Sequence, residues 1–222
     1  MPDNQKKVAV VTGATRGFGR AMALALAAQD YHIVALGRTV GALEELDDQI
    51  QQNGGSATLV PADFVGDLSI CEALGAQLYE RFGKIDLLLL SAALLGPLTP
   101  LAHLEPAQAE KIMKVNYLAP YRLLRSMDPL LRQSPQARAI FITCDLGDDS
   151  IAYWGNYRAS KAAFATLADT YAAETRDTSI DTVKFNPGPM QTRLHHDAFP
   201  GAPDGSVSAP KIAAARLMDQ LA

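Results

Sequence analysis

The segment Lys7–Thr12, KVAVVT, is an unbroken β-branched run that stops at Gly13. A strand with no polar alternation needs cover on both faces, which points to a parallel sheet between two helical layers. The residues that follow supply such a layer. Phe18, Ala21, Met22, Ala25 and Leu26 fall at i, i+3, i+4, i+7 and i+8, one face of a helix. The same unit then recurs. His32–Leu36 reads as a second strand, with a helix marked by Leu43, Leu46 and Ile50 that stops before Asn53-Gly54-Gly55. Ala57–Val60 is a third strand, and Ile70, Ala73, Leu74 and Leu78 stripe the helix after it. Ile85–Leu90 is a fourth, followed by a long helical stretch from about Pro106 to Arg132 with Pro106 in its first turn. Ala139–Cys144 is a fifth, backed by Phe164, Leu167, Ala168 and Tyr171; Asp181–Phe185 is a sixth. Lys211–Leu221 closes the chain as a helix. Six β-then-α units predict an α/β fold, a doubly wound parallel sheet whose ligand lies at the carboxyl ends of its strands.

Between Asn186 and Pro210 the chain is rich in Pro and Gly and loses all periodicity. That length of irregular chain in a compact domain predicts a functional loop, placed at about 188–207. No repeat, low-complexity tract or linker divides the sequence, so residues 1–222 are expected to form a single domain. Composition removes other classes. With 20 Lys+Arg against 24 Asp+Glu there is no basic surplus for nucleic acid, and 48% hydrophobic content is too high for a disordered chain. No apolar run approaches the roughly 18 residues of a membrane span. The residues before Val8 hold no apolar stretch, so no signal peptide is expected and the setting is read as cytoplasmic. Cys71 and Cys144 are too few for a disulfide framework or a four-thiolate metal site. His195-His196 could suggest a metal, but adjacent side chains diverge and no third ligand has matching spacing; solvated loop histidines are the expectation.

Two motifs carry chemistry. Gly13-Ala-Thr-Arg-Gly17-Phe-Gly19 lies between the first strand and the first helix, where glycines allow a tight turn and bring N–H groups and a helix N-terminus to a phosphate. The spacing is G-x-x-x-G-x-G. Tyr157-Arg-Ala-Ser-Lys161 opens the helix after strand five, with the phenol and the ammonium on one face. An ammonium near a phenol is expected to favour the phenolate and lower its pKa. With Asp63 after strand three, Asn116 in the long helix and Asn186-Pro-Gly188-Pro after strand six, the sequence resembles the short-chain dehydrogenase/reductase family over almost its whole length. Leu94-Leu-Gly-Pro, Pro189–Arg193 and Ala198–Gly201 are also similar to a bacterial branch of NADP-dependent aldehyde reductases.

The resemblance implies a Rossmann fold and a set of roles. Tyr157 would be the acid/base, Lys161 would hold the ribose hydroxyls and lower the tyrosine's pKa, and Asn116 would position a proton-relay water. Asp63 would contact adenine. The implied cofactor site comprises Gly13, Thr15, Arg16, Gly17, Phe18 and Gly19, then Arg38, Asp63, Ser91, Ala92 and Ala93, and finally Tyr157, Lys161, Pro187, Gly188 and Thr192. The choice of cofactor has a physical basis. Strand two ends Leu36-Gly37-Arg38-Thr39, without the acidic group that would accept from a ribose 2′-OH and repel a 2′-phosphate. Arg38 and Arg16 offer guanidinium forks instead, so NADP(H) is expected.

Three departures from the family stand out. The position thirteen before Tyr157, where the family has a catalytic serine, is Cys144, a weaker donor with a larger sulfur. Thr143 and Asp145 cannot simply replace it, because neighbouring strand residues face opposite sides. The family's Asn-Ala-Gly after strand four is Ser91-Ala92-Ala93, which adds a methyl beside the cofactor ribose. The usual seventh strand is missing, leaving strand six an edge unless the 188–207 loop or another subunit covers it. The expected activity is hydride transfer between NADP(H) and a carbonyl or the matching alcohol. The competing reading is an NADP-binding sensor or structural subunit without turnover, which Cys144 and Ala93 favour and Tyr157, Lys161 and Asn116 oppose. Trp154 is expected beside the substrate mouth. The family's dimer helices correspond here to about 106–132 and 155–175; surplus apolar positions such as Tyr117, Leu118, Tyr121, Leu123 and Leu124 predict a homodimer.

Overall fold

The computed structural model describes residues 6–144, 151–203 and 205–221. Six strands form one parallel sheet: β1 (Lys7–Thr12), β2 (Tyr31–Gly37), β3 (Ser56–Pro61), β4 (Leu87–Leu90), β5 (Ala137–Ile142) and β6 (Ile180–Phe185). Their order is β3-β2-β1-β4-β5-β6. The chain winds outward from β1 in one direction and from β4 in the other, so the switch point falls between these two strands. Among the described residues there is no seventh strand, and β6 is an edge.

The central strands split by residue parity into two cores. Val8, Val10, Leu88, Leu90, Ala139 and Phe141 face α3 (Ser69–Phe82), α5 (Ala119–Leu131) and α6 (Gly155–Glu174). Ala9, Val11, Leu87, Leu89, Ile140 and Ile142 face α1 (Gly17–Ala27), α2 (Val40–Gln52) and α8 (Pro210–Leu221). A side-chain period of two in each strand makes this division unavoidable.

At the amino-terminal rim of the sheet, buried Asp86 ties three elements together. Its carboxylate accepts from the Val8 N–H at 2.9 Å, Lys84 Nζ at 2.6 Å and Ser134 Oγ at 2.7 Å. Burial pushes this carboxyl up, but the donors from Lys84, Ser134 and Val8 outweigh it and hold the group below its ordinary value.

Three expectations are corrected. Strand five begins and ends two residues earlier than Ala139–Cys144, because its pairing with β6 runs from Ala137↔Ile180 to Ile142↔Phe185; Cys144 lies beyond the ladder. The long helix 106–132 is interrupted: α4 (Pro106–Met113) passes through a π-helical turn at Lys114–Leu118 before α5 begins. The irregular stretch after strand six holds a short helix, α7 (Arg193–Ala198), which its Pro and Gly content concealed. Asp145, named above beside Cys144, lies outside the described residues.

Candidate active site

The carboxyl end of β1 is locked to that of β4 by Thr12. Its hydroxyl donates to the Leu89 carbonyl at 3.2 Å and accepts from the Ser91 and Ala92 N–H groups at 2.9 and 3.1 Å. This buried residue was not singled out from the sequence, since a threonine ending an apolar strand gives no sign of a partner 79 positions away. The glycine loop grows from this corner. Gly13 has φ +66°, and a Cβ there would stand 3.1 Å from Ala92 Cα, so the loops after β1 and β4 touch at the switch point. A Cβ on Gly19 would come within 2.8 Å of the Gly13 carbonyl carbon, so only glycine lets α1 start this close to its own loop. The first turn of α1 has no acidic residue and no side-chain cap. Its N–H groups therefore remain available to an anion.

Around this cradle the expected cofactor residues divide. Thr15 packs its methyl against Gly37 at the end of β2, so their chain neighbours Arg16 and Arg38 flank one corner, both exposed. Ser91, Ala92 and Ala93 line the switch point, half-buried. The Phe18 ring is buried and stacked on Phe185 at 5.8 Å, which leaves its backbone as the part of the residue in the glycine loop. Asp63 is exposed and bends its own loop by accepting from the Val65 N–H at 3.1 Å. Lys114, also unforeseen, holds that loop from the π-helical turn through the carbonyls of Val65, at 3.0 Å, and Gly66. On the far side Thr192 caps α7, accepting from the His195 N–H at 3.2 Å, and lays its methyl over Gly17. Gly188 adopts φ +74°, and Pro187 is buried. Arg216 of α8 anchors this segment at the Asn186 and Pro187 carbonyls, at 3.2 and 3.5 Å.

Tyr157 and Lys161 open α6 beside the switch point, both buried. Lys161 Nζ donates to the Ile142 carbonyl at 2.7 Å and sits 4.5 Å from the centre of the Phe164 ring. Burial holds its pKa below the ordinary lysine value. The expected lowering of the Tyr157 pKa is reversed. Burial first, then repulsion by and hydrogen bonding to Cys144, raise the phenol above its usual value. With Lys161 turned to a backbone carbonyl, the closest titratable partner of the phenol is a thiol, which cannot favour a phenolate. The group therefore holds its proton across the neutral range.

Asn116 sits in the π-helical turn and is buried. Its Oδ1 accepts from the Leu94 N–H at 2.7 Å, while Nδ2 donates to the Leu94 carbonyl and to Ser160 Oγ, both at 2.9 Å. Ser160 in turn donates to the Tyr157 carbonyl at 2.7 Å. Both amide hydrogens are thus spent, and the side chain clamps the loop after β4 to α6 rather than donating to a water. Trp154 packs edge-on to Tyr157 with ring centres 5.8 Å apart, and Phe199 lies 5.6 Å beyond it. His195 is not simply solvated, since its ring packs on Phe199 at 5.1 Å. A hollow of about 420 Å³ beside α7 is lined by residues of the 191–207 segment, His195 and Phe199 among them; Trp154 and Tyr157 do not line it.

Backbone ready for a diphosphate at the switch point, with a protonated phenol one loop away, is the layout of a dinucleotide-dependent oxidoreductase. The family model described as short chain dehydrogenase matches residues 7–202, and the chain belongs to that family. It is 30% identical over 203 residues to the uncharacterized oxidoreductase YciK of Escherichia coli K12, covering 87% of this chain and 77% of that one. Across other curated relatives the covered share falls as low as 62% of their length. A short chain dehydrogenase structure from Pseudomonas syringae superposes with TM-score 0.89 at 34% identity, covering 96% of this chain and 87% of that one. A metagenomic short-chain oxidoreductase solved in complex with NADP gives TM-score 0.81 at 27% identity, covering 96% and 89%.

Proposed function

We propose that this chain is an NADP(H)-dependent reductase of aldehydes or ketones, able to run the matching alcohol oxidation. The observation that carries the reading is the buried, proton-bearing Tyr157 on the same helical face as Lys161, beside a glycine cradle that a single Cβ would fill. The residues fit the cofactor: the uncapped α1 N-terminus takes the diphosphate, and Arg16 and Arg38 take a 2′-phosphate. Bound NADPH supplies a hydride, and with it two electrons, to the carbonyl carbon. Tyr157 gives its proton to the oxygen as negative charge develops there, which yields the alcohol. Lys161 lies one turn further along the same helical face, with its ammonium on the Ile142 carbonyl. Asn116 and Ser160 fix the backbone on either side of the phenol, and Cys144 polarises the carbonyl weakly. NADPH oxidation measured over a panel of carbonyls tests the reading; tight NADPH binding with no turnover of any of them would support the non-catalytic alternative.

Arg16 and Arg38 make a first prediction. A charge-assisted hydrogen bond of about 1.5–3 kcal/mol should favour NADPH over NADH by roughly 10- to 150-fold. Fluorescence titration of both cofactors reads the ratio, and Arg38→Ala should reduce it. Equal affinities in the unmodified protein would remove the assignment. A second concerns Cys144, which is half-buried and hydrogen-bonded to Tyr157. Cys144→Ser should raise kcat about tenfold by restoring a strong O–H donor, with NADPH affinity unchanged. Steady-state kinetics of the two proteins decides it.

A homodimer belongs to the same reading. Leu118 and Tyr121 are 40% and 44% exposed on the π-helical turn and α5, and Tyr117 stacks on Tyr121 at 6.5 Å, whereas Leu123 and Leu124 are corrected: both are buried in the chain's own core. Light scattering at micromolar concentration should give twice the chain mass. No described helix is long and apolar enough to cross a membrane. A cytoplasmic setting is part of the same reading; Cys71 is buried, and burial pushes its thiol up to about 11.

A further inference from the structure

The wall beside Tyr157 is made of rings. Trp154 precedes α6 and meets the Tyr157 ring edge-on at 5.8 Å; Phe199, just past α7, meets Trp154 at 5.6 Å; His195 backs Phe199 at 5.1 Å. Three rings thus run in series from the proton donor to solvent, and Phe199 at their outer end is 49% exposed. On the other side of the same backbone, the Leu101 side chain fills the space where Gly155 would carry a Cβ, and Leu101 is 69% exposed. The Thr99 N–H donates to the Tyr153 carbonyl, which joins the loop after β4 to this wall. Large apolar side chains left this open around a reacting group mark a surface that a ligand covers.

We propose that the substrate is an aromatic carbonyl compound, its ring seated against Trp154 and Phe199 and its C=O at the Tyr157 hydroxyl. The inference rests on the reductase reading above and narrows it. Trp154 and Tyr157 are in edge-on ring contact, so a ring bonded directly to the carbonyl carbon is the shortest link between a C=O at the phenol and the indole. Flat rings gain from tilted or edge-on packing beyond what their area gives, about threefold in affinity per pair. A saturated ring of equal size lacks that gain. Two such pairs set the expected preference for an aromatic over a saturated ring at about tenfold.

The test compares benzaldehyde with cyclohexanecarbaldehyde, similar in size but not planar, as substrates for NADPH oxidation. The expected kcat/KM ratio is about tenfold in favour of benzaldehyde, and Phe199→Ala should reduce that ratio about threefold. A binding readout is independent of turnover. Trp154 is the single tryptophan of the chain, so its emission reports the wall alone. With NADP⁺ present, benzaldehyde should quench it saturably, and Phe199→Ala should weaken the binding. Turnover without preference for the aromatic ring, or the absence of saturable quenching, overturns the inference while leaving the reductase reading intact. Saturable quenching with no turnover of either aldehyde upholds the aromatic site and overturns the reductase reading instead.

Discussion

Tyr157→Phe should lower kcat by about 10²- to 10⁴-fold, the usual contribution of a positioned general acid, while NADPH binds as before. The substitution removes one oxygen and keeps the ring, so its contacts with Trp154 and the helix it opens should survive. The phenol faces Cys144, and its raised pKa keeps its proton in place at neutral pH. An alkoxide formed without a donor must wait for water, which the buried position restricts. Steady-state rates together with fluorescence titration of NADPH separate the two effects. A variant that turns over within tenfold of the unmodified protein would mean that another group delivers the proton.

Asp86→Ala should destabilise the fold by about 2–4 kcal/mol at neutral pH, because it leaves the Val8 N–H, Ser134 Oγ and Lys84 without their buried acceptor. Lys84 is itself partly solvated, which places the loss toward the lower part of that range. The contribution depends on pH in a fixed direction. The folded-state pKa of Asp86 is depressed, so its stabilisation is complete above the unfolded carboxylate value of about 3.9 and is lost as pH falls through the lower folded-state value. Urea midpoints against pH should therefore fall on the acid side for the unmodified protein and fall less for Asp86→Asn. Since Asp86 lies at the amino-terminal rim, opposite the site, activity per folded molecule should not change. A midpoint unmoved by Asp86→Ala would show that water serves these donors equally well.

The sequence reached far because the fold obeys local periodicity. Strand β1 is apolar without alternation from Val8 to Val11 and α1 is striped at helical spacing, so two covered faces and a parallel sheet follow with no knowledge of pairing. The glycine loop was legible for the same reason. Gly13 and Gly17 need positive φ and Gly19 needs close approach, and each requirement writes a specific residue type at a specific place. Boundaries were less legible. β5 ends at Ile142 because its ladder with β6 ends there, and nothing within Phe141–Cys144 distinguishes paired from unpaired residues. The π-helical turn at Lys114–Leu118 is equally silent, since the residue types of KVNYL suit an ordinary α-helical turn as well.

What only the tertiary structure decided is partnership. Residue types named Tyr157, Lys161, Asn116 and Cys144, but their electrostatics depend on which atoms the fold brings together. Lys161 meets the Ile142 carbonyl, Asn116 spends its amide hydrogens on Leu94 and Ser160, and Tyr157 faces a thiol in a buried setting. Each is a contact between segments separated in sequence, and a pKa or a hydrogen bond is a property of such a contact rather than of either residue. The same holds for Thr12, Asp86 and Lys114, ordinary polar residues until a strand or loop many positions away arrives beside them. It holds for the aromatic wall, where Trp154 and Phe199, 45 positions apart, become neighbours only because α7 folds back over the switch point.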